Sequence, residues 1–508
     1  MSPQDLLRPA AVALPADATR DPRRWKALCL LAIAEFMVVL DASIVNIALP
    51  DIGKGLHFAT SSLAWIITAY LVAFAGLLPL GGRFADLLRR RRMFIAGISV
   101  FSLASLAAGL APTAAALVAA RAVQGMGAAL LAPAALSLVT SIFPEGSERT
   151  KAFGIWGAVA AGGGAAGVLL GGLLTGGLGW RSIFLINVPV GIAVLLVVRA
   201  LVSENNGENA GRLSVRRFDI AGAVAVTGGL VLLVIALSQA TAWGWASPAT
   251  LATLASAAVL LVLFVGIELR GRYPLVPMLL LRVRTVAAGN GIMILTGAAM
   301  LGLFYFLSLY EQVILGYSAI TAGLSQLPLA LSLIAAAAGV APLMKRFGAR
   351  IPLAAGMAIL SGGLAWFGMA PVNGTFAGDI LGPSLLVGIG LGMVFVPLTA
   401  VAVAGVPAAS AGVASGLVNT TQEIGSVLGL AALATLANSR TNAIAHLGPM
   451  ADALNSGYAW AFRGAALIAA VALIVVVITV RKGDGAGPDA ADATALAPAL
   501  SKAGNERR

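Results

Sequence analysis

The chain has 508 residues, of which 59% are hydrophobic and only 11% are charged, and its net charge is +12. Soluble proteins carry roughly 25% charged residues, so this composition excludes a soluble globular protein and predicts an all-α polytopic membrane protein in a lipid bilayer. The positive charge could suggest a nucleic acid partner. The basic residues, however, fall in short clusters between apolar runs, which is the pattern of membrane topology, and we expect no nucleic acid partner.

Apolar runs of about 20 residues, enough to cross a bilayer as helices, predict fourteen transmembrane helices. They cover 27–49, 61–81, 93–111, 114–141, 153–176, 183–202, 219–238, 249–269, 286–309, 322–344, 351–370, 379–404, 413–437 and 459–480. With a cytoplasmic N-terminus, the basic residues fall mainly on the cytoplasmic side, and the exceptions are Lys54, Arg181, Arg440 and Arg463 outside and Arg121 within a span. This asymmetry predicts that both termini are cytoplasmic.

Two short basic turns, 82–91 and 341–350, suggest an internal repeat, because each connects an outside-to-inside span with an inside-to-outside span. Spans 1–6 and 9–14 then correspond as two halves, which is a transporter plan. The predicted organisation is an N-terminal tail (1–25), a six-helix half (26–202), a linker with two extra helices (203–285), a second six-helix half (286–481) and a disordered tail (482–508).

Few residues are available for cofactor chemistry. The single cysteine, Cys29, excludes an internal disulfide, and the two histidines, His57 and His446, fall in predicted loops without metal-ligand spacing. No ATPase motif is present. We therefore expect no enzymatic activity and no cofactor, and an ion gradient remains as the energy source.

Asp41 lies inside the apolar stretch 36–45 of span 1. A carboxylate at the centre of a bilayer costs at least about 2.5 kcal/mol, and a proton, a cation or a partner charge must offset that cost. Burial disfavours the charged form and a nearby positive charge favours it, so a conformational change could switch its protonation. The alternative is a structural carboxylate that is hydrogen-bonded to Ser43 or Asn46.

Two further ionisable residues fall within the N-terminal half. Glu35 could be a second proton site or an acid on an entry path, or a protonated residue packed against another helix. Arg121 in span 4 requires a carboxylate, carbonyl groups or cavity water around its guanidinium. It is either a proton-coupling residue that favours proton release from a facing carboxylate, or part of a fixed structural ion pair.

The substrate-binding candidates are Asp41, Asn46, Glu311 and Glu423. Glu423 belongs to the polar patch 419–423 of span 13 and could bind a cationic substrate or serve helix packing. Glu311 falls at the outer end of span 9, where it could be an interfacial residue or a cavity acid.

Several ordered motifs carry a family resemblance. They are Leu-Asp-Ala-Ser-Ile-Val-Asn-Ile-Ala-Leu-Pro at 40–50, Trp65 and Tyr70 at the start of span 2, the turn 82–91, Arg-Ala-Val-Gln-Gly-Met-Gly at 121–127, and Trp-Arg-Ser-Ile-Phe-Leu-Ile-Asn-Val-Pro-Val-Gly at 180–191. Together they make 26–481 resemble the fourteen-span drug:proton antiporter branch of the major facilitator superfamily. The sequence departs from that pattern at Arg89, where the family usually has glycine, and at Val168, where it usually has proline.

The resemblance implies a major facilitator fold, with two six-helix halves and two extra central helices, acting as a monomer in a bacterial cytoplasmic membrane. It associates Arg121 with proton coupling and Gly163, Gly167 and Gly171 of span 5 with antiport. Conformational switching is expected at Gly82, Asp86, Arg90 and Arg91, with Asp86 paired to a neighbouring helix, and at the same three glycines of span 5, which permit close packing and bending. The alternative for that turn is an ordinary cytoplasmic anchor of basic residues.

These observations favour a proton-coupled exporter of amphipathic, cationic drugs or antibiotics, whose partners are protons and a small-molecule substrate. One alternative is a proton-coupled importer of a small metabolite, which only the missing proline at 168 favours. The other is a non-transporting membrane scaffold or receptor, against which the intramembrane acids and Arg121 argue.

Overall fold

A computed structural model of the protein describes residues 23–59, 62–87, 89–143, 147–202, 219–271, 280–406, 411–481 and 483–484. The predicted tails and the polar part of the linker lie almost entirely outside these residues. Within them the structure is helical. The helices are α1 (Arg24–Gly55), α2 (Trp65–Leu87), α3 (Arg90–Gly109), α4 (Ala114–Ile142), α5 (Ser147–Leu178), α6 (Ser182–Leu185), α7 (Asn187–Leu201), α8 (Ile220–Trp243), α9 (Pro248–Arg270), α10 (Arg284–Leu309), α11 (Ala319–Ser325), α12 (Leu327–Phe347), α13 (Arg350–Phe367), α14 (Leu381–Val403), α15 (Ala411–Ile444) and α16 (Met450–Thr479).

Most of the predicted spans are confirmed. Among the described residues, 12 helical segments are long and apolar enough to cross a membrane. Helices α6 and α7 together form one of them, as do α11 and α12. The two other predicted spans are α5 and α15, with 32 and 34 residues. At 1.5 Å per residue both exceed the hydrocarbon thickness of about 30 Å.

The two halves repeat the same packing pattern. In the first half the most extensive contacts join α2 to α4, α3 to α4 and α1 to α5. In the second half they join the corresponding pairs, α12 to α14, α13 to α14 and α10 to α15. Helices α8 and α9 pack on each other, and α8 also contacts α2 and α15, so it bridges the halves.

The bundle has two distinguishable ends. The basic end carries Arg24 at the start of α1, the turn between α2 and α3, and Lys345 with Arg346 at the end of α12. The opposite end, called the far end below, carries the end of α5 and the start of α11. At the far end α5 packs against α11, so the two halves meet there.

Helix α5 reaches both halves through two glycine faces. Gly163, Gly167 and Gly171 face α1, and a Cβ atom at Gly167 would lie 2.6 Å from Ser43 Cβ and 3.0 Å from the Leu40 carbonyl oxygen. Gly172 faces α11, where a Cβ would lie 2.6 Å from the Ala319 carbonyl oxygen. The predicted close packing of span 5 is confirmed, and small residues permit it because they let helix backbones approach.

Candidate functional site

Asp41 lies fully buried in the middle of α1 and holds a set of polar partners from other helices. Its Oδ2 accepts a hydrogen bond from Arg121 Nη1 at 2.6 Å. Its Oδ1 accepts from Gln124 Nε2 at 2.8 Å and from Asn187 Nδ2 at 2.9 Å. The expected structural partners Ser43 and Asn46 do not bond it in the described structure. Asp41 thus has three donors, one of them cationic.

Arg121 is only 1% exposed, and both Nε and Nη1 of its guanidinium donate hydrogen bonds. Its Nε donates to the Ile66 carbonyl oxygen at 3.1 Å, and Nη1 donates to Gln124 Oε1 at 2.6 Å in addition to Asp41. The guanidinium carbon lies 4.3 Å from the centre of the Tyr70 ring, a cation–π contact. The requirement for partners that the sequence predicted is met by a carboxylate and a carbonyl.

Three neutral polar residues complete this cluster. Gln124 Nε2 also donates to Ser105 Oγ at 2.7 Å, and Ser105 donates to the Phe101 carbonyl oxygen at 2.8 Å. Asn187 at the start of α7 contacts the same Ser105 hydroxyl at 3.4 Å. The cluster therefore joins α1, α3, α4 and α7, and Arg121 extends it to α2.

Sequence reasoning assigned no role to Gln124, Asn187 or Ser105. Gln124 had a usable signal, because residues three apart lie on the same face of a helix and Gln124 follows Arg121 at that spacing. Asn187 had a weaker one, since it follows the break between α6 and α7. For Ser105, one of many small residues in span 3, the sequence offers no signal.

Tyr70 connects this cluster to the remaining acids. It is 1% exposed, and its hydroxyl has no hydrogen-bond partner within the described part of the chain. Asp41, Arg121, Glu423 and Glu35 all lie within electrostatic range of that hydroxyl. The structure thus brings together acids from α1 and α15, which belong to different halves, around one residue of α2.

Glu35 and Glu423 are the partly exposed acids of this group. Glu35 Oε2 is buried without a hydrogen-bond partner among the described residues. Near Glu423, Thr421 Oγ1 bonds Asn290 Oδ1 at 2.9 Å, so the polar patch on α15 also serves helix packing against α10.

Asn46 lies one and a half turns beyond Asp41 toward the far end. Its side-chain amide donates to the Ala42 carbonyl oxygen at 3.2 Å, whereas its Oδ1 is buried without a partner among the described residues. Its backbone carbonyl accepts from Ser308 Oγ at 2.6 Å, and the Ile47 carbonyl accepts from Gln312 Nε2 at 2.8 Å. The two halves are therefore hydrogen-bonded to each other here.

Glu311 is fully buried, so it is not the interfacial residue that its position at the end of a span suggested. It lies in a π-helical turn, Tyr310–Ile314, that continues α10. Its Oε1 is 2.6 Å from Ser325 Oγ, and its Oε2 accepts from Gln326 Nε2 at 2.7 Å. It lies apart from the Asp41 cluster, and neutral residues occupy both of its oxygens.

The turn between α2 and α3 is described in part. Arg90 is exposed at the start of α3, and Arg91 Nη1 donates to the Val202 carbonyl oxygen at the end of α7, 3.1 Å away. The side chain of Asp86 lies outside the described residues, as does any pairing it makes. Gly82 has room for a Cβ, 3.9 Å from Pro133, whereas Gly81 does not, since its Cβ would lie 1.9 Å from the Ala129 carbonyl oxygen.

The described residues contain no group of His, Cys, Asp and Glu that could hold a metal ion. A cavity of about 390 Å³ lies between α2, α8 and α9 and is lined mainly by apolar side chains such as Leu77, Val231 and Leu260. None of the candidate acids lines it. The candidate functional site is therefore the group of acids around Tyr70, where ionisable residues of both halves lie near one another, and not the apolar cavity.

Comparison with known proteins gives consistent matches over most of the chain. The family model of the Major Facilitator Superfamily matches residues 31–430. A cephamycin export protein of Amycolatopsis lactamdurans is 43% identical over 455 residues, which covers 89% of this chain and 91% of that protein. A puromycin resistance protein of Streptomyces alboniger is 39% identical over 449 residues, with coverage of 86% and 87%.

One solved structure shows the same fold. It is a bacterial homologue of the human lysosomal transporter Spinster in an inward-facing and occupied conformation, which matches with a TM-score of 0.64 at 15% sequence identity. The match covers 91% of this chain and 97% of that chain.

Proposed function

The chain belongs to the Major Facilitator Superfamily, and on that premise we propose that it exports amphipathic, cationic drugs or antibiotics in exchange for protons by alternating access. The relatives at 43% and 39% identity, which are named for cephamycin export and puromycin resistance, support this proposal. We further propose that it acts as a monomer in a bacterial cytoplasmic membrane, with the basic end facing the cytoplasm as the positive-inside rule expects.

The observation that carries proton coupling is the buried pair of Asp41 and Arg121, whose side chains are 0% and 1% exposed. Removing two charges from water costs several kcal/mol per ion, and a buried pair is weak support for stability. Charged residues at membrane depth are usually functional. We therefore infer that this hydrogen-bonded pair serves proton coupling and not stability.

The mechanism follows from competition for the Asp41 carboxylate. We assign the described conformation, in which the far end is closed and Asp41 is paired with Arg121, to the state after proton release to the cytoplasm. A proton that binds Asp41 from the external side neutralises the carboxylate and weakens its bond to Arg121. Arg121 then keeps its bonds to Gln124 and the Ile66 carbonyl. The loosened pair frees α1 and α4 to move.

Glu423 and Glu35 supply the negative charge for a cationic substrate. Asn46 Oδ1, which has no partner in the part of the chain that the structure describes, accepts one of its hydrogen bonds. Tyr70 lies within electrostatic range of these acids and of Asp41. We therefore infer that a cationic substrate bound near Tyr70 and a proton on Asp41 disfavour each other. This supports exchange, since a cation bound near Tyr70 disfavours protonation of Asp41.

We assign the switch between access states to the α2–α3 turn, with Gly82, Asp86, Arg90 and Arg91, and to the glycine face of α5. The bond from Arg91 to Val202 supports this because it ties the turn to the end of the N-terminal half. Gly163, Gly167 and Gly171 keep α5 close to α1 on either side of Asp41, so a change at Asp41 reaches α5 directly.

The energy available is sufficient for export. Each proton moved inward releases about 2.3 kcal/mol per 100 mV of membrane potential and about 1.36 kcal/mol per unit of pH difference. One or two protons can therefore sustain a gradient of 10-fold to more than 1000-fold of a neutral substrate, roughly 1.4 kcal/mol per tenfold step. When one proton is exchanged for one monovalent cation, no net charge moves, and the pH difference alone supplies the energy.

Inverted membrane vesicles test the function. We expect energised inverted vesicles to accumulate puromycin or ethidium, and right-side-out vesicles not to do so. The purified protein should release protons when either compound is added, and Asp41→Asn should release fewer and should lose transport. Equal proton release and equal transport in the wild type and Asp41→Asn would remove Asp41 from the mechanism, and uptake by right-side-out vesicles would indicate an importer.

Glu423→Gln tests the substrate site. Because the substitution removes one negative charge, we expect at least about a tenfold loss of ethidium affinity, which equals about 1.4 kcal/mol, with a much smaller change for a neutral antibiotic such as chloramphenicol. The matched control is Glu268→Gln, which removes a buried acid of α9 near the basic end. An equal loss for the neutral and the cationic compound would assign Glu423 to helix packing.

A further inference from the structure

Glu311 carries chemistry that the proposed mechanism does not use. Its side chain is 0% exposed, at the point where α10 passes into a π-helical turn. Ser325 at the end of α11 and Gln326 at the break before α12 hold its two oxygens. Within the described part of the chain, no Lys or Arg forms an ion pair with it. A carboxyl group in this position is buried among neutral partners.

The hydrogen atoms around Ser325 indicate the protonation state. A serine hydroxyl has one hydrogen to donate, and Ser325 Oγ lies 2.8 Å from the Ala322 carbonyl oxygen as well as 2.6 Å from Glu311 Oε1. If the Ser325 hydroxyl donates to the Ala322 carbonyl, the hydrogen between Ser325 Oγ and Glu311 Oε1 must be carried by Glu311. Gln326 donates to Oε2 of Glu311. A protonated Glu311 therefore places a hydrogen in each of these three contacts. An ionised Glu311 would leave the Ala322 contact without one and would bury an uncompensated charge.

The ionisable residues on the surrounding elements do not change this assignment. Near the far end they are Tyr305 on α10, Tyr310 and Tyr317 in the same segment, Asp379 before α14, Asp452, Tyr458 and Arg463 on α16, and Asp51 and Lys54 on α1. Helix α11 contributes none. Arg463 donates to the Gly368 carbonyl oxygen at 3.0 Å, and Tyr310 donates to the Pro371 carbonyl oxygen at 2.8 Å. Both are thus committed to backbone oxygens.

The segment that holds Glu311 also joins the two halves. Pro50 lies within α1 and has no N–H, so the Asn46 carbonyl four residues earlier lacks its usual helical donor. Ser308 of the other half supplies that donor, and Gln312, the residue after Glu311, donates to the neighbouring Ile47 carbonyl. We call these two bonds between the halves the Pro50 latch.

We propose that Glu311 is a second proton-binding site, located in the C-terminal half at the far end, and that the latch closes only when it holds a proton. This inference rests on the proposed function, since it takes the far end as the external one. Opening of the far end exposes Glu311 to external water, where it loses its proton. Closing brings α1 and α5 of the other half onto the segment that holds Glu311, and the proton must bind from the same external water first. The proton returns to that side on reopening, so it sets the conformation without being transported.

The sign of the pH effect follows from this order. The closed state holds one proton more than the open state, so a rising pH favours the open far end. The ratio of open to closed molecules rises by at most about tenfold per pH unit for one proton. Glu311→Gln keeps both hydrogen bonds, since its amide can donate to Ser325 and its carbonyl oxygen can accept from Gln326. This variant should therefore stay closed at every pH.

Distances between spin labels at the far end test the proposal. Labels on Leu178→Cys and Leu447→Cys, at positions 76% and 72% exposed on different halves, are introduced into a Cys29→Ser background and the protein is placed in lipid nanodiscs. We expect a longer distance to gain population as the pH rises in the wild type, a response that is absent in Glu311→Gln. Ser325→Ala removes the acceptor of the proposed proton and should shift the balance toward the open state. Glu268→Gln should behave as the wild type.

The outcomes separate this proposal from the exporter function. The same pH response in Glu311→Gln as in the wild type overturns the Glu311 site, whatever the vesicle assays give. A response that Asp41→Asn abolishes and Glu311→Gln preserves assigns it to the Asp41 cluster and also overturns the proposal. A response abolished by Glu311→Gln in a protein that transports neither puromycin nor ethidium supports the site and contradicts only the exporter function.

Discussion

Arg121→Ala should abolish transport, and it should also destabilise the protein. The substitution leaves Asp41 as a buried carboxylate with only Gln124 and Asn187 as donors. Removing one partner of a buried ion pair costs about 3–5 kcal/mol, and the cost is not reduced by solvent here because both side chains are at most 1% exposed. Asp41 can offset part of the cost by keeping its proton, and a carboxyl group that never releases its proton cannot couple export to the gradient.

Arg121→Lys is the informative comparison. A lysine keeps the charge near Asp41 but cannot reproduce the bonds that Nε makes to Ile66 and Nη1 makes to Gln124. We expect partial transport with a lowered melting temperature. The double variant Asp41→Asn with Arg121→Gln removes both charges and should recover thermal stability without transport. Full transport by Arg121→Ala, or recovery of transport in the double variant, would reduce the pair to a structural role.

The sequence predicted the fold, and it singled out Asp41 and Arg121 as separate candidates, for one physical reason. A helix that crosses a bilayer must contain a long apolar run, so the number of spans and the correspondence between the halves can be read from the sequence. A charge within such a run is costly, so Asp41 and Arg121 stand out without knowledge of the tertiary structure. Each apolar run became a helix whose ends differ from the prediction by a few residues in most cases. The largest difference is α16, which starts at Met450 instead of 459 because its polar first turns pack on the second half, where Asn455 donates to the Ala370 carbonyl oxygen.

The partners of these charges could not be predicted, because neutral polar residues carry little cost of their own. Gln124, Asn187 and Ser105 come from α4, α7 and α3, and only the folded bundle places them around Asp41. The interfacial location that the sequence suggested for Glu311 was wrong for a related reason. Its position at the end of an apolar run is compatible with an interfacial location, and its burial depends on the break between α11 and α12 at Gln326, which the sequence marks only by Pro328. The partners of Asp41 and the burial of Glu311 both depend on how the helices pack, which the sequence does not state.

Gly172→Val should abolish transport while the protein still folds. A Cβ atom at Gly172 would lie 2.6 Å from the Ala319 carbonyl oxygen and 3.1 Å from Ile320 Cα, both on α11. These are backbone contacts between the halves, so no side-chain rotation relieves them. Packing of α5 on α1 uses the other glycine face and is unaffected. The variant is therefore expected to be excluded only from the state in which the far end is closed.

Labelling of Ala319→Cys reports the closure directly. Ala319 is 6% exposed and packs with Ile47 and Val168 where α1, α5 and α11 meet. In a Cys29→Ser background we expect an external, membrane-impermeant thiol reagent to modify it slowly in the wild type and rapidly with Gly172→Val. The matched control is Gly177→Val, because a Cβ at Gly177 meets nothing within 4 Å.

The same variant connects the glycine face to the Glu311 site. If steric closure and the proton on Glu311 act on one equilibrium, Gly172→Val should hold the far end open at low pH as well as high pH, and the label distances should no longer respond. Slow labelling of Ala319→Cys together with normal transport by Gly172→Val would show that α5 and α11 do not need this close contact. The alternating-access assignment of the far end would then be wrong.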